Sequence, residues 1–149
     1  DSQGLSYQYF GDHGKIMQVV LGHTLENSKQ SFGAGQFIEV QEQEINLRTD
    51  YQVEWFTNHS LTVGAQFEKS IVDYEFDAIP YYCTDHDADC ESKKGDRIQD
   101  NDKLTTQDYA VYATNNWTIS PNWQLSLGVR AERNDYTEQT FVHPRLALS

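Results

Sequence analysis

The chain has 149 residues, 13% of them aromatic, with 23 acidic against 11 basic side chains and a net charge of −12. That is enough chain for one domain, and the acidic balance argues against nucleic acid as a partner. No run approaches the roughly 18–20 consecutive apolar residues of a spanning helix, which excludes a helical membrane protein but not a membrane β-barrel, whose strands show only alternating hydrophobicity.

Asp1-Ser2-Gln3-Gly4 has neither a basic start nor an apolar run, so the expectation is a processed start or an internal fragment. The first predicted strand covers residues 5–10 and ends at Gly11-Asp12-His13-Gly14, a tight turn by composition. The second covers 15–25, with Met17, Val19 and Leu21 at alternate positions. A polar connection over 26–35 follows. The third strand, 36–56, sets Ile45, Leu47, Tyr51, Val53 and Trp55 against Asn46, Arg48, Asp50, Gln52 and Glu54. A tight turn at Thr57-Asn58-His59-Ser60 leads into the fourth, 61–77. There Leu61, Val63, Ala65 and Phe67 are apolar, and then Val72, Tyr74 and Phe76. That change of phase predicts a β-bulge between Glu68 and Ile71.

The longest connection is the polar segment 78–103. It contains the two cysteines, Cys83 and Cys90. A pair that close in an exposed-looking loop points to a disulfide and an oxidising compartment, with two unpaired thiols as the alternative. Asp85, Asp87 and Asp89 stand at alternate positions, as in a calcium loop, and Asp96 falls at position twelve. Cys90, however, takes the place of the sharp-turn glycine and Asp96 that of the usual Glu, so a solvated acidic loop without metal is the expectation.

The fifth strand, 104–119, alternates Tyr109, Val111, Ala113, Trp117 and Ile119 with polar residues. It would run about 53 Å at ~3.3 Å per residue, longer than a hydrocarbon core of about 30 Å. Ser120-Pro121-Asn122 turns the chain into the sixth strand, 123–136, with Leu125, Leu127, Val129 and Ala131 on one face. A polar connection over 137–142 precedes a seventh strand from His143 onward. Short and long connections thus alternate, which in an up-and-down meander puts tight turns at one end and long loops at the other. Trp55, Trp117 and Trp123 all lie near the short turns, where an interfacial girdle would sit.

No G-x-S-x-G, P-loop or H-E-x-x-H occurs, Gly33-Ala34-Gly35 lacks the rest of a dinucleotide site, and the five histidines are scattered. No enzyme activity and no cofactor are expected. Asn58-His59-Ser60 and Asn116-Trp117-Thr118 match the glycosylation pattern by chance.

From Tyr109-Ala110-Val111-Tyr112-Ala113-Thr114-Asn115-Asn116-Trp117-Thr118-Ile119 through Trp123-Gln124-Leu125-Ser126-Leu127-Gly128-Val129-Arg130-Ala131-Glu132-Arg133, the chain resembles the barrel of TonB-dependent outer-membrane receptors. Their hairpins run aromatic-Ala-x-aromatic, a Trp before the turn, then Trp-x-Leu-x-x-Gly-x-Arg-x-Glu. His143-Pro144-Arg145-Leu146-Ala147-Leu148 resembles the strand that follows, and the two-cysteine acidic loop resembles an extracellular loop of one subgroup. The likeness is clearest over residues 50–149. It implies the outer membrane of a Gram-negative bacterium and uptake of a scarce nutrient of the iron–siderophore, cobalamin or carbohydrate class. It also implies a TonB-type energy-coupling partner acting through a plug. None of these 149 residues resembles that plug or its coupling box, and seven strands fall short of a 22-stranded barrel.

The expected fold is therefore all-β: an antiparallel up-and-down meander, with residues 1–149 a fragment of a transmembrane β-barrel. Tyr109, Val111, Leu125, Leu127 and Val129 would face lipid, and Arg48, Asp50, Glu54, Arg130 and Glu132 a lumen. The competing reading is a soluble β-sandwich binding module with a disulfide-clipped acidic loop, which would bury the odd-numbered set between two sheets. A barrel fragment alone has two unpaired edges and a wet apolar face, so the isolated chain is expected to form a homo-oligomer.

Overall fold

Alternation over long stretches gives each strand two unlike faces, and short connections let each strand pair with its neighbour in the chain. The computed structural model describes residues 1–12, 14–82 and 93–149. Among these the elements are β1 (Ser2–Phe10), β2 (Ile16–Gly33), β3 (Gln36–Phe56), β4 (His59–Ala78), β5 (Tyr81–Tyr82), β6 (Lys93–Lys94), β7 (Ile98–Ser120), β8 (Trp123–Asn134) and β9 (Gln139–Leu148). Seven form one sheet in the order β1-β2-β3-β4-β7-β8-β9, and β5 and β6 form a separate two-stranded ribbon. The pairings β1–β2, β7–β8 and β8–β9 are antiparallel. This is the meander that the alternation and turns predict.

Two expected connections are much shorter than their polarity suggests. β2 runs on to Gly33, and the link to β3 is Ala34-Gly35, with φ of 51° and 74°. Positive φ at both central residues is the type I′ pattern, whose twist matches that of the flanking strands. Likewise residues 139–142 belong to β9, after a turn over 135–138 that the Asn134 side chain holds by accepting from the Thr137 amide at 2.9 Å. β7 also begins six residues earlier than expected, at Ile98. The reason is common to all three. A strand paired by its backbone needs no buried side chains, and residues 25–33 are exposed throughout, so polar composition there does not mean loop. β2, β3, β4 and β7 have 18 to 23 residues and β1, β8 and β9 have 9 to 12.

The β7–β8 ladder shifts register between Thr118 and Ser120, next to the turn. In β4 the more exposed positions keep odd parity on both sides of the expected bulge, Val63 and Ala65 before it and Asp73 and Glu75 after it.

The chain divides into two compact units: Asp1–Thr24, Glu44–Ser70 and Thr105–Ser149 make one, and Leu25–Gln43 with Ile71–Leu104 the other. Among the described residues only Ala110 and Asp77 are buried, and no side chain is fully so. Among the described residues there is no core between layers. A sandwich of this length would bury its alternating apolar set, whereas here Val111 is 60% exposed and Leu127 and Val129 are each 46% exposed.

Candidate functional site: the polar face and the aromatic rim

In the first unit the even-numbered side chains of β3, β4, β7 and β8 meet on one face. Asn46 donates to Glu68 at 3.2 Å, Gln52 to Ser60 at 3.2 Å, and Asn134 to Asp108 at 2.7 Å. Around Tyr112 the network is densest. Its hydroxyl donates to Asp50 Oδ1 and accepts from Arg48 Nε at 3.1 Å. Arg48 also binds Asp50 Oδ2 at 2.8 Å. These partners sit on β3, two strands from β7, so the Tyr112 ring must cross β4. Gly64 allows this, because a Cβ there would come within 2.4 Å of Tyr112 Cζ. The cations of Arg48 and Arg130 lie 5.8 and 5.7 Å from the ring centroid, within cation–π range.

The register carries the network onward. Tyr112 stands opposite Arg130, and Arg130 opposite His143. Arg130 Nε binds Glu132 at 2.9 Å, and the other Glu132 oxygen lies 3.1 Å from His143 Nε2. Of the five residues expected on this face, Arg48, Asp50, Arg130 and Glu132 thus join through Tyr112 or through one another. Glu54 stays outside this network: it borders a concavity with Ser60, Asn116, Thr118 and Gln124 nearer the short turns, where a Cβ on Gly14 would approach its side chain at 3.1 Å. Sequence reasoning missed Tyr112 as the hub and Gly64 as its seat. An even-numbered aromatic in β7 and an even-numbered glycine in β4, both breaking the polar pattern, were the available signal.

The opposite face carries the odd-numbered set. Tyr109 packs on Phe67 with ring centroids 5.2 Å apart. Leu125, Leu127 and Val129 stand opposite Leu148, Leu146 and Pro144, Leu125 being half-buried and the other two exposed. At the short-turn end, Trp55 Nε1 donates to Asn115 Oδ1 at 3.1 Å, Asn115 Nδ2 lies 3.1 Å from His59 Nδ1, and His59 stacks on Trp117 at 5.3 Å. Trp123 is exposed just across the β7–β8 turn. Asn115 and His59 were not expected as partners of the tryptophans: Asn115 accepts from the Trp55 indole, and His59 stacks on the Trp117 ring.

In the second unit Asp77 is the buried polar group. Arg97 grips it at 2.5 and 2.7 Å and Gln99 donates at 2.6 Å. The Arg97 hydrogen bond, and then that of Gln99, hold the Asp77 carboxyl below its usual range, while Asp77 raises Arg97. On the β2–β3 hairpin, Lys29 bridges Glu39 at 2.5 Å over the Phe37 ring. Cys83, Cys90, Asp85, Asp87 and Asp89 lie outside the described residues. Among the described residues no group of three His, Cys, Asp or Glu side chains could hold a metal ion.

The family model of the TonB-dependent receptor-like β-barrel matches residues 2–149. The chain belongs to the TonB-dependent receptor β-barrel family. The barrel superposes on the outer-membrane transporter YddB of Escherichia coli with a TM-score of 0.70 at 16% identity, over 99% of this chain and 23% of that one. The ferripyoverdine receptor of the Pseudomonas aeruginosa outer membrane gives 0.67 at 13% identity, over 99% and 22%. The copper transporter OprC gives 0.59 at 11% identity, over 99% and 26%. The barrel segment thus spans about a quarter of the length of these structures. No curated protein matches. The family is one of receptors and transporters, not enzymes, and this TonB-dependent barrel is a protein of the bacterial outer membrane.

Proposed function

We propose that residues 1–149 are a segment of the barrel wall of a TonB-dependent receptor that imports a scarce nutrient across the outer membrane. The observation that carries this reading is the division of faces. One face is apolar and uncovered at Val111, Leu127 and Val129, and the other is polar and tied across four strands by Asp50, Tyr112, Arg48 and Arg130. An exposed apolar face beside a satisfied polar one fits lipid outside and a lumen inside.

In this reading Tyr109, Val111, Leu125, Leu127 and Val129 touch acyl chains. Trp55, Trp117 and Trp123 form the girdle at the short-turn interface, where an indole with one polar edge is favoured. The far ends of the long strands, where residues 25–33 are exposed throughout, belong beyond the hydrocarbon, because β7 with 23 residues is about twice the length that crosses a membrane. The rest of the receptor supplies the closing strands, the plug and through it the contact with a TonB-type energy-coupling protein. The substrate belongs to the iron–siderophore, cobalamin or carbohydrate class, and the ferripyoverdine receptor among the similar structures favours the first.

The test is uptake. The full reading frame containing this segment, expressed in a Gram-negative host lacking its own receptor, should take up labelled ferric siderophore and lose that uptake when the energy-coupling protein is deleted. Uptake that survives the deletion, or a product that fractionates with the periplasm, overturns the reading.

A further inference from the structure

On the polar face, next to the Tyr112 network, lies a concavity of about 150 Å³ lined by Arg48, Gln66, Tyr112, Thr114, Arg130 and Arg145, with Val129 at its edge. Three guanidiniums border it and no carboxylate does. The neighbouring concavity, which shares Gln66 and Arg130, has the opposite character, with Glu68, Asp108 and Glu132 in its lining. The wall therefore carries a cationic patch beside an acidic one, in a chain whose net charge is −12.

The three arginines differ in how far they are spent. Arg48 is paired to Asp50 through Nε and Nη2. Arg130 is paired to Glu132 through Nε and reaches Gln66 through Nη2 at 3.4 Å. Both keep an Nη1 group with no partner among the described residues. Arg145 has neither ion pair nor hydrogen bond among the described residues. It stands opposite Gly128, which in turn stands opposite Thr114, so no side chain on β8 separates it from the Thr114 hydroxyl. Within this segment the formal sum over Arg48, Arg130, Arg145, Asp50 and Glu132 is one positive charge, carried by Arg145 on the edge strand β9.

We propose that this concavity is an oxyanion site, taking a carboxylate or phosphate group. A guanidinium offers a planar fork of donors that matches two oxygens of such a group. Arg145 supplies the fork and the uncompensated charge, and the free Nη1 groups of Arg48 and Arg130 and the Thr114 hydroxyl supply further donors. The Tyr112 ring, seated on Gly64, holds the two flanking guanidiniums in place. The oxyanion comes from one of two sources: a free anion in the lumen, or a carboxylate side chain of a protein segment that fills it.

Thermal unfolding of the full-length receptor in detergent tests the site, at matched ionic strength in chloride or in inorganic phosphate. Lys103→Gln, on the exposed early part of β7, serves as the control for loss of one positive charge. For a free anion, phosphate raises the Tm of the wild type and of Lys103→Gln, and Arg145→Gln abolishes the rise, as mass action requires. For a carboxylate of the protein, phosphate changes nothing, but Arg145→Gln lowers Tm in chloride by several degrees where Lys103→Gln does not, and Arg145→Lys restores part of it. If phosphate has no effect and the two Gln variants melt alike, the proposal is wrong. The inference takes from the proposed function only that the polar face lines a lumen. Because these melting points do not depend on energy coupling, failure of uptake and failure of the anion site remain distinguishable.

Discussion

The ring of Tyr112 lies across Gly64, so close that a methyl group on that glycine would overlap Cζ at 2.4 Å. This contact lets a residue of β7 bond to Asp50 and Arg48 on β3, and so staples three strands rather than two. Gly64→Ala should displace the ring and cost about 1–3 kcal/mol, the range for overpacking a filled site. Unfolding of the full-length protein in detergent measures it. Tyr112→Ala should cost a similar amount through lost packing and hydrogen bonds, and the double variant clearly less than the sum. Strict additivity would show that the two residues do not share one site.

The uncovered apolar face makes a second expectation. In the membrane-embedded protein Val111→Arg should cost about 2–4 kcal/mol if the residue lies near the bilayer midplane. Thr114→Arg, on the polar face, should be mild. Folding titrations into lipid vesicles give both numbers, and equal tolerance at the two positions would count against lipid on the odd-numbered face.

Asp77 makes the second unit sensitive to acid. Its carboxyl is held below the ordinary value of 3.8 by Arg97 and Gln99, so the charged form is the one that the fold stabilises. A group with a lowered folded pKa contributes fully above the unfolded value and loses its contribution as pH falls through the folded one. The backbone bonds nearby report this: Gly95 donates to Pro80 and Ile79 to the Gln36 side chain. Hydrogen exchange of those two amides, corrected for intrinsic rates, should show constant protection from neutral pH down to about 5 and a decline below about 4. In Asp77→Asn protection should be low throughout. Protection unchanged at low pH, or unaffected by Asp77→Asn, removes the role assigned to this pair.

Cys83 and Cys90 should form a disulfide. The ring is small, and chain entropy assigns it about 2–3 kcal/mol. Mass spectrometry after alkylation, with and without reductant, decides the matter. Two thiols that alkylate without reduction rule the bond out.

The 149-residue chain produced alone should associate. Its seven-stranded sheet has β1 and β9 at the edges, and its apolar face is open to water, so copies gain by pairing edges or faces. Light scattering in dilute buffer without detergent should give a homo-oligomer, and a stable monomer would contradict this.

Period-two alternation was enough to assign the two faces of β3, β7 and β8, because side-chain direction in a strand follows parity alone. Short turns at Gly11–Gly14, Thr57-Asn58 and Pro121-Asn122 were enough to order the strands as a meander, because neighbours joined by a tight turn have no other antiparallel partner within reach. Strand ends were less legible. Residues 26–32 and 139–142 read as loops because polarity usually marks a segment with no buried face, yet a backbone ladder holds them extended in water. The site was least legible. Asp77 with Arg97, Trp55 with Asn115, and Tyr112 with Asp50 join residues 20, 60 and 62 positions apart. Parity says which face each residue occupies but not which residues share a level across strands. That depends on register, and on whether a glycine leaves room for a long side chain to reach past the nearest strand. Only the folded sheet decides those distances.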